Sequence, residues 1–104
     1  MKERVYIGTE LKYNIHLKPI EGQTMDDFDF DAEFSSGKKV LKIPKAEMKR
    51  VDSNNYKVMV DTALLGVGEL KLVVNAYIPD VDFNDDIRKE VLMLNPNTLI
   101  MNPV

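Results

Sequence analysis

Residues 80–87 carry oxygen-bearing side chains at alternate positions, and this spacing resembles that of a calcium-binding loop. Four residues match positions one, three, five and seven of such a loop: Asp80, Asp82, Asn84 and Asp86. Two features depart from the pattern. Asp85 stands where the sharp turn normally has glycine, and the closing carboxylate, Glu90, comes one residue early. The simpler interpretation is a polar hairpin loop with local side-chain turns. The sequence favours that interpretation and predicts no metal and no cofactor.

Other residue types that could support catalysis occur without a motif around them. The carboxylates of Asp27–Glu33 alternate with phenylalanine and alanine, which a solvent-facing strand explains. His16 is the only histidine and lies on the predicted polar face of a strand. Gly66-Val67-Gly68 is followed by neither lysine nor a helical pattern, so it indicates a turn rather than a phosphate loop. We therefore predict a protein that is not an enzyme and has no catalytic residues.

A basic cluster lies between the second and fourth predicted strands, and it could meet an acidic partner or a phosphate. It comprises Lys38, Lys39, Lys42, Lys45, Lys49 and Arg50. A simpler role is to balance the acidic strand before it and to protect a sheet edge from pairing.

The elements that must position these residues are strands, because apolar and polar residues alternate along most of the chain. The predicted runs are residues 11–18, 27–34, 38–43, 56–61, 69–78 and 87–94, with short pieces near residues 5–7 and 98–101. About seven short strands with turn signals between them predict an all-β, immunoglobulin-like antiparallel sandwich. A small barrel is the competing interpretation.

One hairpin has a predicted register. If Ser36-Gly37 forms a two-residue loop, Ala32 lies opposite Leu41 and Asp31 lies opposite Lys42. The longest predicted strand, residues 69–78, is apolar on parts of both faces, which is typical of a central strand. Residues 56–61 and 69–78 are predicted to be neighbouring antiparallel strands joined by a connection in which Leu64 and Leu65 are buried.

Composition narrows the class of protein. With 104 residues the chain is predicted to be one domain, residues 1–104, that is long enough to bury a core. It has no cysteine, and its net charge of −3 argues against nucleic-acid binding. No apolar run approaches the ~20 residues needed to cross a membrane, and the N-terminus lacks the apolar segment of a signal peptide. We expect a soluble domain with no membrane partner and no small-molecule ligand.

Three motifs in residues 40–92 carry a family resemblance. They are Tyr56-x-Val58-x-Val60-Asp61-Thr62, Leu65-Gly66-x-Gly68-x-Leu70, and Tyr77-Ile78-Pro79-Asp80-x-Asp82-Phe83 with Arg88-x-Glu90-Val91. This order resembles small immunoglobulin-like domains of phages and prophages of Bacteroides-type bacteria. More distantly, it is similar to the N-terminal domain of phage upper-baseplate proteins. Asp86 stands where that pattern leads us to expect glycine.

The resemblance implies a non-enzymatic structural or adaptor domain of a virion tail, fibre or baseplate. Its partners would be other virion or surface-assembly proteins or a second copy of itself, and it would reside in the virion or, during assembly, in the host cytoplasm. The alternative is a carbohydrate-binding or adhesin module, for which Tyr6, Tyr13, Tyr56 and Tyr77 are candidate contact residues. Fold-level likeness alone does not fix function.

Overall fold

The computed structural model describes residues 2–18 and 21–103, and these form strands joined by turns. The strands are β1 Glu3–Tyr6, β2 Glu10–Ile15, β3 Asp29–Ser36, β4 Lys39–Pro44, β5 Lys49–Asp52, β6 Asn55–Asp61, β7 Gly68–Glu69, β8 Lys71–Pro79, β9 Ile87–Leu94 and β10 Thr98–Met101. Four 3₁₀ turns lie at Met25–Asp27, Lys45–Glu47, Thr62–Leu64 and Asn84–Asp86. Within the described ranges, no helix is long and apolar enough to cross a membrane.

The strands form two main sheets and one small sheet. The strand orders are β5-β6-β2, β4-β3-β8-β9 and β1-β10-β7. The first two sheets have the order of an immunoglobulin-like sandwich with an additional edge strand, β4. The prediction of an all-β sandwich is therefore confirmed. Pairing is antiparallel except between β1 and β10, which run parallel.

The core lies between the two main sheets, where inward-facing residues of both are buried. Phe30 of β3 packs edge-on against Tyr56 of β6, with ring centroids 5.0 Å apart. Tyr13 of β2 contacts Phe34 of β3 at 5.9 Å. Since each pair joins one sheet to the other, aromatic packing fixes how the sheets face each other. The largest fully buried side chains are Phe30, Phe34, Ile15, Met25, Leu65, Leu70, Leu72, Ile78 and Ile100.

The small sheet is attached to the sandwich through buried threonines. Thr62 Oγ1 accepts from the Gly8 backbone N–H at 2.8 Å and donates to the Thr9 carbonyl at 2.8 Å. Thr98 of β10 lies 3.2 Å from the Tyr13 hydroxyl, measured between the two side-chain oxygens. These bonds satisfy polar groups that would be costly to bury unpaired.

The predicted register of the β3–β4 hairpin is wrong by two residues. Ala32 lies opposite Ile43 rather than Leu41, and Glu33 rather than Asp31 lies opposite Lys42. The two-residue loop is Gly37-Lys38, with Gly37 at φ 58° in its first position. Because the error is even, every side chain stays on its predicted face.

Two further predictions need correction. The described residues form ten strands rather than about seven. Strands β1 and β10 overlap the short pieces predicted near residues 5–7 and 98–101, whereas β5 was not predicted and the predicted run 69–78 is divided into β7 and β8. Strands β6 and β8 lie in opposite sheets, so they face each other across the core instead of pairing side by side. Strand β8 is nevertheless central in its sheet, between β3 and β9, as predicted.

The connection between β6 and β8 packs closely on the β3–β4 turn. A Cβ added at Gly66 would lie 2.9 Å from the Ser36 carbonyl oxygen, and the Ser36 hydroxyl donates to the Gly66 carbonyl at 2.6 Å. Leu65 is buried as predicted, whereas Leu64 is exposed. The glycine pair thus serves close backbone contact, in agreement with the interpretation of this segment as a turn.

Candidate docking surface

The clearest site-like feature of the surface is the outer side of strand β9. Ile87, Val91 and Met93 point outward at alternate positions and are 47, 57 and 74% exposed. Strand β9 ends its sheet, and within the described residues no strand pairs with its other side. A long edge strand with exposed apolar residues is a ready template for pairing with another chain.

The neighbouring strand β8 extends this apolar surface. Val73 of β8 lies opposite Met93, and Tyr77 lies opposite Lys89, whose Nζ is 6.0 Å from the centre of the Tyr77 ring. Val73 and Tyr77 are half-buried. We call the surface formed by Ile87, Val91, Met93, Val73 and Tyr77 the β9 face. Lys89 of β9 and Asn75 of β8 lie on the same side among these residues, so the face is apolar with two polar positions. Exposed apolar patches mark interaction sites more often than isolated exposed residues do.

On the core-facing side of β9, two charged side chains point toward the interior of the sandwich. Arg88 and Glu90 lie opposite the buried residues Ile78 and Ala76 of β8. Arg88 Nη1 donates to Glu90 Oε2 at 3.3 Å, and Arg88 Nε lies 3.8 Å from Asp80 Oδ2. The arginine and glutamate side chains remain about one-third exposed. Inward-pointing charges on an edge strand discourage pairing unless the incoming strand matches them.

Beside the β9 face, strand β3 presents a carboxylate that is largely withdrawn from solvent. Asp31 accepts from Asn75 Nδ2 at 2.9 Å and from the Tyr77 hydroxyl at 3.4 Å. Lys42 Nζ lies 3.7 Å from Asp31 Oδ2, which makes a diagonal ion pair across the hairpin. This network fixes the orientation of Tyr77, and with it one border of the β9 face.

The calcium-loop candidate closes a hairpin between β8 and β9. The Asp80 N–H donates to the Asp86 carbonyl at 2.9 Å, and the Asp82 N–H donates to Asp80 Oδ1 at 3.1 Å. Among residues 2–18 and 21–103, no group of three or more histidine, cysteine, aspartate or glutamate side chains is arranged to hold a metal ion. The hydrogen bonds of Asp80 are those of the local turns that the sequence favours.

The same loop holds two aspartates in a left-handed backbone conformation. Asp85 has φ 60° and Asp86 has φ 57°. These are the two positions where the calcium loop and the phage-domain pattern, respectively, led us to expect glycine. Aspartate tolerates this conformation better than most residues do. Val81 and Phe83 in this loop are exposed, which continues the apolar surface beyond the start of β9.

A polar cluster fastens the first 3₁₀ turn to the sheet of β5 and β6. Arg50 binds Asp26 through two nitrogens, at 2.9 Å from Nε to Oδ1 and 2.8 Å from Nη2 to Oδ2. The Tyr56 hydroxyl donates to Asp26 Oδ1 at 2.5 Å. These bonds from Arg50 and Tyr56 lower the pKa of Asp26 to about 2. The cluster has the geometry of a structural brace between loop and sheet.

Several members of the predicted basic cluster are already engaged. Lys45 Nζ donates to the carbonyls of Met25 and Phe28 at 2.9 and 2.8 Å and lies 5.2 Å from the Phe30 ring centre. Arg50 is bound to Asp26, and Lys42 is paired with Asp31. These contacts favour the simpler prediction of balancing charges over a phosphate site.

His16 borders a cleft of ≈ 260 Å³ on the open side of the sandwich, between β9 and the chain beyond β2. The cleft is lined by Leu17, Ala76, Ile78, Leu92, Lys18 and Glu90 as well as His16. The imidazole Nδ1 lies 2.8 Å from the Asn54 carbonyl oxygen, a contact to the turn between β5 and β6. The floor is apolar and its charged groups lie at the rim.

The four tyrosines proposed for carbohydrate binding do not form one surface. Tyr56 is buried, Tyr13 packs against Phe34, and Tyr77 is half-buried beside Lys89. Tyr6 is exposed on β1, in the small sheet. A shared aromatic platform is therefore absent among these four, and the carbohydrate interpretation stays a prediction.

Sequence reasoning located strand β9 but did not identify its outer side as a site. The available signal was that Val91, Leu92, Met93 and Leu94 are all apolar, so both faces of the strand carry apolar residues. In a central strand this pattern indicates burial on both faces. Only the strand order shows that β9 is an edge strand, so that one of its apolar faces remains open.

Comparison with known proteins yields little. No protein-family model matches the chain, and no curated protein matches it significantly. A solved structure from Bacteroides vulgatus ATCC 8482, provisionally described as a glycoside hydrolase, is similar with 14% sequence identity and a TM-score of 0.49. The match covers 98% of this chain and 17% of that one, so this chain spans under a fifth of its neighbour's length. A likeness of this strength carries no argument about activity.

Proposed function

We propose that the chain is a non-enzymatic docking domain that binds other proteins through the β9 face. The observation that carries the proposal is the alignment of Ile87, Val91 and Met93 on an eight-residue strand with a free edge. Burial of such side chains contributes to association in proportion to the apolar area removed from water. Backbone groups of the edge add hydrogen bonds when an extended segment joins the sheet.

The setting that we propose is a phage or prophage particle, in its tail, fibre or baseplate. This part of the proposal rests on the sequence resemblance of residues 40–92 to immunoglobulin-like phage domains. The partners would then be other proteins of the same particle. A rigid sandwich that exposes one apolar strand is suited to such docking, because little conformational entropy is lost when rigid surfaces associate.

The test combines the purified chain with each protein encoded beside its gene. We expect at least one complex to form, measured by size-exclusion chromatography with light scattering. Val91→Lys should abolish it, because a charge would be buried in the apolar contact. The matched control is Val40→Lys on β4, where the valine is 65% exposed and lies at the opposite edge of the same sheet.

Two results would contradict the proposal. If Val91→Lys binds the same neighbours as the wild type does, the β9 face is not the docking surface. If the neighbouring genes encode no tail, capsid or baseplate proteins, the proposed setting is wrong even where docking persists.

A further inference from the structure

We propose that the occupant of the β9 edge is a second copy of this chain, paired through β9 in the antiparallel direction about a two-fold axis. The inference rests on the proposed docking function and deepens it by naming the partner. It follows from the order of charges along the strand, because Arg88 and Glu90 lie on the same side of β9, two residues apart. A strand with this spacing can be complementary to itself.

One pairing register satisfies these charges. When the two-fold axis passes through Lys89, Arg88 of each copy lies opposite Glu90 of the second copy. Opposite charges placed across two strands stabilise the pair, whereas like charges destabilise it. If the axis passes instead through Glu90, the two glutamates face each other. If it passes through Val91, Arg88 and Glu90 lie opposite leucines. The inward charges thus select the first register.

The same register also matches the apolar residues of the β9 face. Ile87 of each copy lies opposite Val91 of the second copy, which makes two apolar pairs on the outer side. Met93 and Leu94 extend beyond this pairing, toward the 80–86 loop of the second copy. Exposed Val81 and Phe83 lie in that loop, so the register brings apolar residues of the two copies toward each other.

One contact opposes the register, because Lys89 lies opposite its own symmetry mate. The ammonium group of each Lys89 can lie beside an aromatic ring of its own copy instead of beside the second lysine. Its Nζ lies 6.0 Å from the centre of the Tyr77 ring, on the β8 side and hence away from the axis. A ring face attracts a cation, which separates the two ammonium groups. The lysine then limits the strength of the dimer without preventing it.

The product of this pairing is a continuous eight-stranded sheet with two sandwiches side by side. The inward charges of β9, which contact each other within one copy, each gain an opposite charge from the second copy. The edge is therefore selective, since a strand without the Glu-x-Arg or Arg-x-Glu spacing would bring no opposite charges to Arg88 and Glu90.

Sedimentation equilibrium tests the inference on the wild type and on charge-reversal variants over about 1–500 µM protein, a range that brackets micromolar affinities. We expect a concentration-dependent dimer. Arg88→Glu and Glu90→Arg should each weaken it at least about tenfold, and the double variant should recover to within about threefold of the wild type. Circular dichroism confirms that each variant is folded.

If Arg88→Glu loses the contact of residue 88 with Asp80 and does not fold, Glu90→Arg and Val91→Lys replace it in the comparison. Both should dimerise at least about tenfold more weakly than the wild type. A wild type that stays monomeric throughout the range overturns the inference. The inference is also overturned if the folded double variant dimerises as weakly as the single variants do. A monomeric wild type that still binds a neighbouring protein in a Val91-dependent way overturns the self-pairing alone and leaves the proposed docking function intact.

Discussion

Strands β4 and β9 both end the four-stranded sheet, yet their free edges are built differently. Strand β4 reads Lys-Val-Leu-Lys-Ile-Pro, with charge at two positions and a proline that has no N–H to donate. Strand β9 reads Ile-Arg-Lys-Glu-Val-Leu-Met-Leu and exposes apolar residues on its outer side. Lysine and proline are common protection for an edge. On our proposal, the contrast separates an edge that is protected from pairing from one that accepts a matching strand.

The largest effect that we expect is a loss of stability at the turn between β3 and β4, which packs closely against Gly66. Gly66→Ala should destabilise the protein by about 1–3 kcal/mol, because its methyl group would be forced against the Ser36 carbonyl oxygen. Urea denaturation measures the change. Val67→Ala, at an exposed neighbouring position, is the control and should stay within about 0.5 kcal/mol of the wild type.

This prediction sharpens the comparison of the two edges. Dimerisation of folded Gly66→Ala should equal that of the wild type, since the contact lies at the β4 end of the sheet. If the variant is as stable as the wild type, the close contact of Gly66 with Ser36 has been misjudged. If dimerisation is lost while the fold persists, the two edges are not independent.

The second prediction concerns Lys89, which opposes the proposed pairing. Lys89→Thr should tighten the dimer about two- to fivefold, because like charges directly opposite each other cost about 0.2–1 kcal/mol. Sedimentation equilibrium measures the change. Lys71→Thr, on the outer side of β8, removes the same charge away from the axis and should leave the dissociation constant nearly unchanged. Equal tightening by both variants would indicate a net-charge effect and would contradict the register.

The smallest effect that we expect is a change in the pH dependence of fold stability, which does not involve the β9 edge. The pKa of Asp26 is about 2 when folded, mainly because Arg50 and Tyr56 bind its carboxylate. The aspartate of an unfolded chain has a pKa of about 3.9. The stability gained from this contact is therefore present above about pH 4 and is lost as the pH falls from about 4 toward 2.

Asp26→Asn should remove part of this acid dependence, measured as the melting temperature between about pH 2 and 6. Some dependence should remain, since Asp52 and Glu69 also have lowered pKa values, held by Asn54 and Lys2 respectively. An Asp26→Asn variant with an unchanged acid slope would show that the brace contributes nothing to stability.

The fold was largely predictable because alternation specifies which face of each strand is buried. Residues such as Val58, Leu72 and Val74 are buried as their spacing requires. Which strands are neighbours was not predictable in the same way, because alternation does not say which sheet a strand joins. That is why β6 and β8 were wrongly paired. The hairpin register failed for a related reason, since a shift by two residues preserves every face.

The candidate site was less accessible to sequence reasoning than the fold. The spacing of Asp80 to Asp86 matches a ligand pattern that is visible in a sequence, yet the backbone uses those residues for turns. The β9 face has no such pattern. Its significance depends on β9 lying at a sheet edge, which is a property of the assembled fold.

The central claim is that two copies pair through β9 with Lys89 at the axis, and single cysteines test it most directly because the chain has none. Residues opposed across paired strands lie within the Cα separation of about 4.4–6.8 Å that a disulfide requires. Under mild oxidation, non-reducing electrophoresis should show a disulfide-linked dimer for Lys89→Cys. Val91→Cys on β9 and Val40→Cys on β4 should remain largely unlinked. No linkage of Lys89→Cys, or equal linkage of all three variants, would contradict the account.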